Sequence, residues 1–287
     1  MFPYLAVSGQ LTIIGRSPDG DSIRFIPDDV AALQRLRFAQ RLRLSPVDGS
    51  VQLRLDSIDA PETHYAGKSQ PFGLKARDKL LAIVGYTDVT YATSGSVDSS
   101  LPVQIPATIV AQLVEVNGRP VSYLFVGHRD GLRTGQPVTL TPELLAVSIN
   151  GQMIMSGLAY ITLYSSTPPS QRDFFIATAR AAKSKGVWTV DKSTSFTLVD
   201  QDSIGPQGQL ILPKLFRRCS DYLHAKSTGF SGTIVDWLKI ATSGGKSEDD
   251  SLWVGSHRTT LSQVIKQTGD TIMFEPDLLD VVFIEKS

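Results

Sequence analysis

The residues best suited to chemistry are carboxylates and arginines placed where strands begin and end. Asp19-Gly20-Asp21 precedes one apolar run, and Arg54-Leu55-Asp56-Ser57-Ile58-Asp59-Ala60-Pro61-Glu62-Thr63 closes another. Asn117-Gly118-Arg119-Pro120 sets a further arginine at a hairpin tip. Two carboxylates with a backbone carbonyl offer the hard oxygen donors that Ca²⁺ or Mg²⁺ takes. A third carboxylate can draw a proton from water. Arginines grip phosphate oxygens with a fork that lysine lacks, and they neutralise the charge that grows on a phosphoryl group in its transition state. Together these parts suit hydrolysis of a phosphodiester. Each also has a plainer use. Asp-Gly is a common turn, Asp59 and Glu62 could be surface carboxylates around a proline, Arg54 a snorkelling strand residue, and Arg119 an exposed hairpin residue.

The elements that must position these residues are legible in the pattern. Residues 11–15 and 22–26 read as strands around the turn Ser17-Pro18-Asp19-Gly20, and 51–58 alternates apolar and polar as a half-buried strand. Arg54, Asp56 and Ile58 would then share one face, and Leu55, Ser57 and Asp59 the other. Residues 72–84 have helical spacing through Leu74, Leu80, Leu81 and Val84, and stop at Gly85. Residues 87–93, 106–116 and 121–126 read as strands, the last two joined by a two-residue Asn117-Gly118 turn. Asn150 is placed to cap a helix over 150–156. Residues 173–185 form a third helix, with Phe174, Ile176, Ala177, Ala181 and Ala182 on one face. Short strands in this order with inserted helices predict a small barrel. Beyond a Ser/Asp/Gly-rich boundary at 193–208 lie a helix at 215–225, an apolar segment at 233–240, a polar loop, a helix near 261–267 and a strand near 280–285.

The ordered set of motifs resembles the staphylococcal nuclease (thermonuclease) family. The resemblance rests on Asp19-Gly20-Asp21, Arg54 to Thr63, Phe72-Gly73-Leu74-Lys75-Ala76-Arg77, Gly118-Arg119, Gly157-Leu158-Ala159-Tyr160 and Gly186-Val187-Trp188. It spans about residues 10–192 and implies an α+β, β-rich chain: a five-stranded OB-fold barrel with three helices. It also implies that Asp21, Asp59 and the carbonyl of Ala60 hold a metal, Ca²⁺ first, with Mg²⁺ or another divalent cation as substitutes. Asp19 would stand beside the metal without binding it. Glu62 would be the general base, and Arg54 and Arg119 would contact the phosphate. The family's base-stacking tyrosines are not matched: Glu115-Val116-Asn117 precedes the hairpin arginine, and Leu163 and Ser165 flank Tyr164, the one tyrosine left as a substrate contact.

Composition sets the outer limits. The chain has 287 residues, 41% hydrophobic and 20% charged, with no formal net charge. That permits one or two cored domains and excludes a strongly basic nucleic-acid binder by charge alone. A domain at 1–195, with insertions at 28–50 and 128–148, is expected beside a small α+β domain at 196–287. The latter carries 9 basic and 12 acidic side chains. This acidic balance suits a recognition or regulatory role, through a protein partner or by docking within the chain, better than direct nucleic-acid affinity. Arg35, Arg37, Arg41 and Arg43 interleave with Leu36, Phe38, Leu42 and Leu44, either as a basic track or as the polar face of an added element. His64, His128, His224 and His257 show no metal-ligand spacing, and the single Cys219 excludes an internal disulfide. The opening Met1-Phe2-Pro3-Tyr4 has no charged leader, so a cytoplasmic location is expected, and no apolar run is long enough to span a membrane. The expected activity is metal-dependent hydrolysis of DNA, with RNA as a further substrate, at little sequence specificity. The alternative is a non-catalytic OB-fold module that binds nucleic acid or protein.

Overall fold

The computed structural model describes residues 3–285; Met1 and Phe2, on which the leader reading partly rests, lie outside them. Contacts divide the chain into two compact units, Met1–Asp56 with Ala76–Met153, and Ser57–Lys75 with Ile154–Ser287. This division differs from the boundary read at 195, because residues 154–192 share a core with the C-terminal segment. Tyr160 and Val187 are buried in the same cluster as Leu210, Phe216, Trp237 and Phe283.

The first unit is built on one sheet. Its order runs Val51–Gln52, Arg24–Pro27, Tyr4–Thr12, Gln104–Val114, Pro120–Val126, Arg54–Leu55. The first and last pieces are joined through Leu53, whose N–H donates to the Ile23 carbonyl at 2.9 Å. The sheet therefore returns on itself, as a five-stranded OB barrel does. Neighbours pair antiparallel except Arg54–Leu55, which runs parallel to Val121 and Ser122. Closure places Leu11, Phe25, Leu53, Leu55, Ile109 and Leu124 inside, all fully buried. Of the two expected insertions, 28–50 forms the helix Val30–Gln34 and a 3₁₀ turn Ala39–Arg41, and 128–148 forms the strand Pro137–Val138 and the helix Pro142–Val147.

Several expectations need correction. The run at 51–58 is not one strand. Ser57 sits at φ 64°, which breaks the pleat, and Ile58–Asp59 pairs instead with Tyr160–Ile161. The face alternation therefore ends before Asp59: Ile58 and Asp59 are both buried. The 116–121 turn has three loop residues. Gly118 N–H closes on the Glu115 carbonyl at 3.0 Å and Glu115 N–H on the Arg119 carbonyl at 3.0 Å, with Gly118 at φ 85°. This is a turn followed by a left-handed residue rather than a two-residue turn. Asn150 lies inside the helix Ile149–Met155 and does not cap it; Ser148 Oγ accepts from Gly151 N–H at 3.0 Å. The helix Pro169–Ala182 buries Gln171, Phe175, Ala179 and Ala182, a stripe displaced by one residue from the face expected. Leu74 is 58% exposed, since it sits roughly opposite the buried Ala76, Leu80 and Val84 on the helix Gly73–Val84. The expected helix at 261–267 is one turn, Leu261–Val264, before the strand Ile265–Thr268.

The second unit packs the helices Pro213–Ser227 and Ile234–Ile240 with two small sheets. One orders Leu163–Tyr164, Val281–Phe283, Ser251–Val254, His257–Thr260; the other orders Phe196–Thr197, Thr271–Phe274, Ile265–Thr268. The shorter helix begins with a full capping box, Thr233 with Asp236. Among the described residues no helix is long and apolar enough to cross a membrane.

Candidate active site

In the barrel unit, Arg54 lies on the strand Arg54–Leu55, Asp21 in the turn before Arg24–Pro27, and Arg119 just before Pro120–Val126. The Asp21 carbonyl accepts from Leu55 N–H at 2.9 Å, so the Asp19–Asp21 turn is tied to the strand that carries Arg54. Asp19 Oδ1 accepts from Gly20 N–H at 2.7 Å and holds that turn closed. Arg54 pairs with Val121, two residues beyond Arg119. Arg119 is steered by its own hairpin: its Nε donates to Glu115 Oε1 at 3.0 Å, and Asn117 Nδ2 donates to Glu115 Oε2 at 2.9 Å. The 28–50 insertion covers this turn. Arg43 N–H donates to the Gly118 carbonyl at 3.2 Å, and a Cβ on Gly118 would meet Arg43 Cγ at 2.5 Å. Arg37 and Arg41 both lie over the Phe38 ring, at 4.4 and 4.3 Å.

Asn150 is the unseen support of this unit. It is fully buried. Its Oδ1 accepts from Leu124 N–H at 3.0 Å, while its Nδ2 donates to the Asp56 and Ser122 carbonyls at 2.9 and 3.0 Å. It thus fixes the backbone at the point where the chain leaves the barrel toward Asp59.

The second unit holds the carboxylates on which the chemistry would turn. Asp59 is fully buried and Ala60 nearly so, while the Glu62 side chain keeps 12% exposure. Pairing of Asp59 with Tyr160 fixes one end of the segment. Gln70 fixes the other: its Oε1 accepts from Glu62 N–H at 3.1 Å, its N–H donates to the Glu62 carbonyl at 2.9 Å, and its Nε2 donates to the Ile211 carbonyl at 2.7 Å. Gly73 is required beside it, since a Cβ there would stand 2.4 Å from the Glu62 carbonyl oxygen.

Both carboxylates converge on one side chain that the sequence did not point to. Arg217, on the helix Pro213–Ser227, donates from Nη1 and Nη2 to Asp59 Oδ1 and Oδ2 at 3.2 and 2.8 Å. Its Nη1 also bonds Glu62 Oε1. Desolvation pulls the guanidinium pKa down, but the charges of Asp59 and Glu62 outweigh it and hold the group well above its ordinary value. The same helix is fastened to its surroundings at further points. Tyr65 Oη donates to Asp221 Oδ2 at 2.8 Å, and the Tyr65 and Phe216 rings meet edge-on at 6.5 Å. Arg218 bonds Asp250 at 2.8 Å and Glu248 at 2.5 Å. The tyrosine phenol is pushed up by burial and by its bond to Asp221. Nothing in the local sequence marks Arg217, because its partners lie more than 150 positions away. The net acidity of 196–287 conceals a basic cluster, Lys214, Arg217 and Arg218, on one helix.

Tyr164 is placed against the core rather than apart from it. Its ring lies 6.2 Å from Phe283, and Lys214 Nζ stands 4.2 Å from the Phe283 ring. Cys219 is buried and its thiol pushed up by burial. Among the described residues no group of three or more His, Cys, Asp or Glu is arranged to hold a metal. The donor chemistry of the Asp59 carboxylate and the Ala60 carbonyl does suit a hard cation; Arg217 brings a positive charge to Asp59 and Glu62.

A nearly closed, barrel-like sheet in this strand order is that of an OB-fold domain. Residues 52–190 match the family model described as Staphylococcal nuclease homologue, so this part of the chain is similar to that family. The matched span includes Arg54, Asp59, Ala60, Glu62, Arg119 and Tyr164, and it begins after Asp19 and Asp21. No curated protein matches the chain.

Proposed function

We propose that the protein is a metal-dependent nuclease that hydrolyses phosphodiester bonds of DNA, and of RNA as a second substrate, with little sequence specificity. The observation that carries this reading is the convergence of Asp59 and Glu62, on a segment within the matched family span, beside the buried Ala60. Asp59 and the Ala60 carbonyl would hold a divalent cation, Ca²⁺ first; Asp21 joins them on the resemblance alone. When bound, the cation supplies a positive charge that polarises a phosphate oxygen. Glu62 takes the proton from the attacking water, and its backbone, clamped by Gln70, keeps the carboxylate in place. On the resemblance alone, Arg54 and Arg119 would bind the phosphate and offset its growing charge; within the hairpin, Glu115 aims the Arg119 fork. Asp19 holds the turn that presents Asp21.

A second reading has one observation in its favour. Arg217 already neutralises both carboxylates, as it would in a non-catalytic OB-fold binding module. Cleavage of single- and double-stranded DNA and RNA with Ca²⁺, with Mg²⁺ and with EDTA separates the two. Metal-dependent cleavage supports the nuclease. Nucleic-acid binding without cleavage, at any cation concentration, supports the module.

A further inference from the structure

We infer that Arg217 is the resident cation of the Asp59–Glu62 pair, and that a divalent cation enters only by displacing it. The inference rests on the reading of Asp59 as a metal ligand. Both oxygens of Asp59 are taken up by the two ends of one guanidinium, and the same group reaches Glu62. A carboxylate gripped on both oxygens has its strongest donor directions filled, and a dication beside a fixed guanidinium meets direct repulsion. Asp59 is fully buried, so its charge calls for a cation close at hand. Arg217 meets that need and ties the carboxylates to the helix Pro213–Ser227. That helix is held independently of the ion pair, by Tyr65–Asp221, by Phe216 against Tyr65, and by Arg218 with Asp250 and Glu248. The guanidinium can therefore swing away while its helix stays docked. A fifth of the Arg217 side chain is exposed, which gives it a route outward.

The consequence is a site whose cation affinity is set by residues 196–287. Cleavage would then need enough cation to win the exchange, and the C-terminal segment would restrain the enzyme in place of a separate inhibitor. Such exchange differs from a purely structural ion pair, which a metal would leave untouched.

The test is calorimetric titration of the full chain with Ca²⁺ alone. Arg217→Gln keeps hydrogen-bond donors and removes the charge; it is expected to bind Ca²⁺ at least tenfold more tightly than wild type, and Asp59→Asn in that background is expected to abolish the gain. Arg217→Lys, which keeps the charge but loses the fork, is expected to fall between. Equal affinities in folded variants overturn the inference. If neither variant folds, wild type alone decides: saturating Ca²⁺ must shift the Arg217 side-chain Nε–H resonance, and an unmoved resonance overturns it. Tighter Ca²⁺ binding without cleavage of any nucleic acid would leave the exchange standing and defeat the nuclease reading. Ca²⁺-driven cleavage with Arg217 unmoved would do the reverse.

Discussion

Replacing Arg217 with Met removes a charge but keeps much of the side chain's apolar stem. Asp59 then stays fully buried with two fewer donors, and Glu62 loses its bond to the same group. Breaking one side of a buried ion pair costs about 3–5 kcal/mol, because the remaining buried charge loses a partner. Arg217 keeps 20% exposure and Glu62 keeps 12%, so water can enter and the expected loss is at the lower end, about 3 kcal/mol. That is a large share of the ~5–15 kcal/mol that stabilises a typical domain. All three tryptophans, Trp188, Trp237 and Trp253, lie in the second unit, so their fluorescence in urea reports on this unit. Asp59→Asn supplies the second arm of a double-mutant cycle. With both charges gone, the pair of substitutions should cost at least ~1.5 kcal/mol less than the sum of the singles. A loss below ~1 kcal/mol for Arg217→Met, with additive singles, would refute the claim that this pair is a buried, mutually dependent unit.

The same geometry sets other expectations. Asn150→Ala should cost ~2–4 kcal/mol, since it removes three buried hydrogen bonds, to Leu124 N–H and to the Asp56 and Ser122 carbonyls, inside the barrel unit; circular dichroism during thermal unfolding would detect it, and an unchanged midpoint would contradict it. Gly73→Ala should displace the Glu62 backbone, because the new Cβ would stand 2.4 Å from its carbonyl oxygen, and cleavage rate should fall by more than about tenfold while overall fold content is kept. Arg119→Ala should slow cleavage by about 10²–10³, as for loss of one charge-stabilising donor, whereas Glu115→Gln should slow it less, because the arginine keeps its charge and loses only its guide. Asp48 is held below the usual carboxylate range: desolvation alone would raise it, but hydrogen bonds from Ser50, Arg16 and Ser45 outweigh that. A depressed carboxylate stabilises the fold above its unfolded value, near about pH 4, and loses that contribution as pH falls through its folded value. Asp48→Asn should therefore cost ~1 kcal/mol at about pH 7, for a partly exposed pair, and nothing measurable well below its folded value; an equal deficit at both would contradict it.

The barrel was legible because its strands carry β-branched residues in alternation and its turns carry Gly, Asn and Pro. Arg54, Asp59, Glu62 and Arg119 stand out as candidates because their order along the chain resembles that of a known family. Other features turn on facts that no local pattern holds. The break at Ser57 depends on a left-handed residue that is not glycine, and its cause is the pairing of Ile58–Asp59 with Tyr160–Ile161 far along the chain. Asn150 has the residue type of a helix cap, yet its three bonds go to the barrel and Ser148 takes the cap. Glu115 stood out only as the residue that replaces a family tyrosine, and its use as a guide for Arg119 appears only once the hairpin is folded. Arg217 was hidden by averaging: the segment around it is acidic overall, and only the helix at Pro213–Ser227 gathers Lys214, Arg217 and Arg218.

The central claim is that Glu62 serves as the base of a phosphodiester hydrolysis. The most direct measurement is the initial rate of single-stranded DNA cleavage at saturating Ca²⁺ for wild type and Glu62→Gln, each shown folded by circular dichroism. The account predicts a rate lower by about 10²–10⁴ in the variant, the range of a lost general base. Equal rates, or cleavage by neither protein, would contradict it.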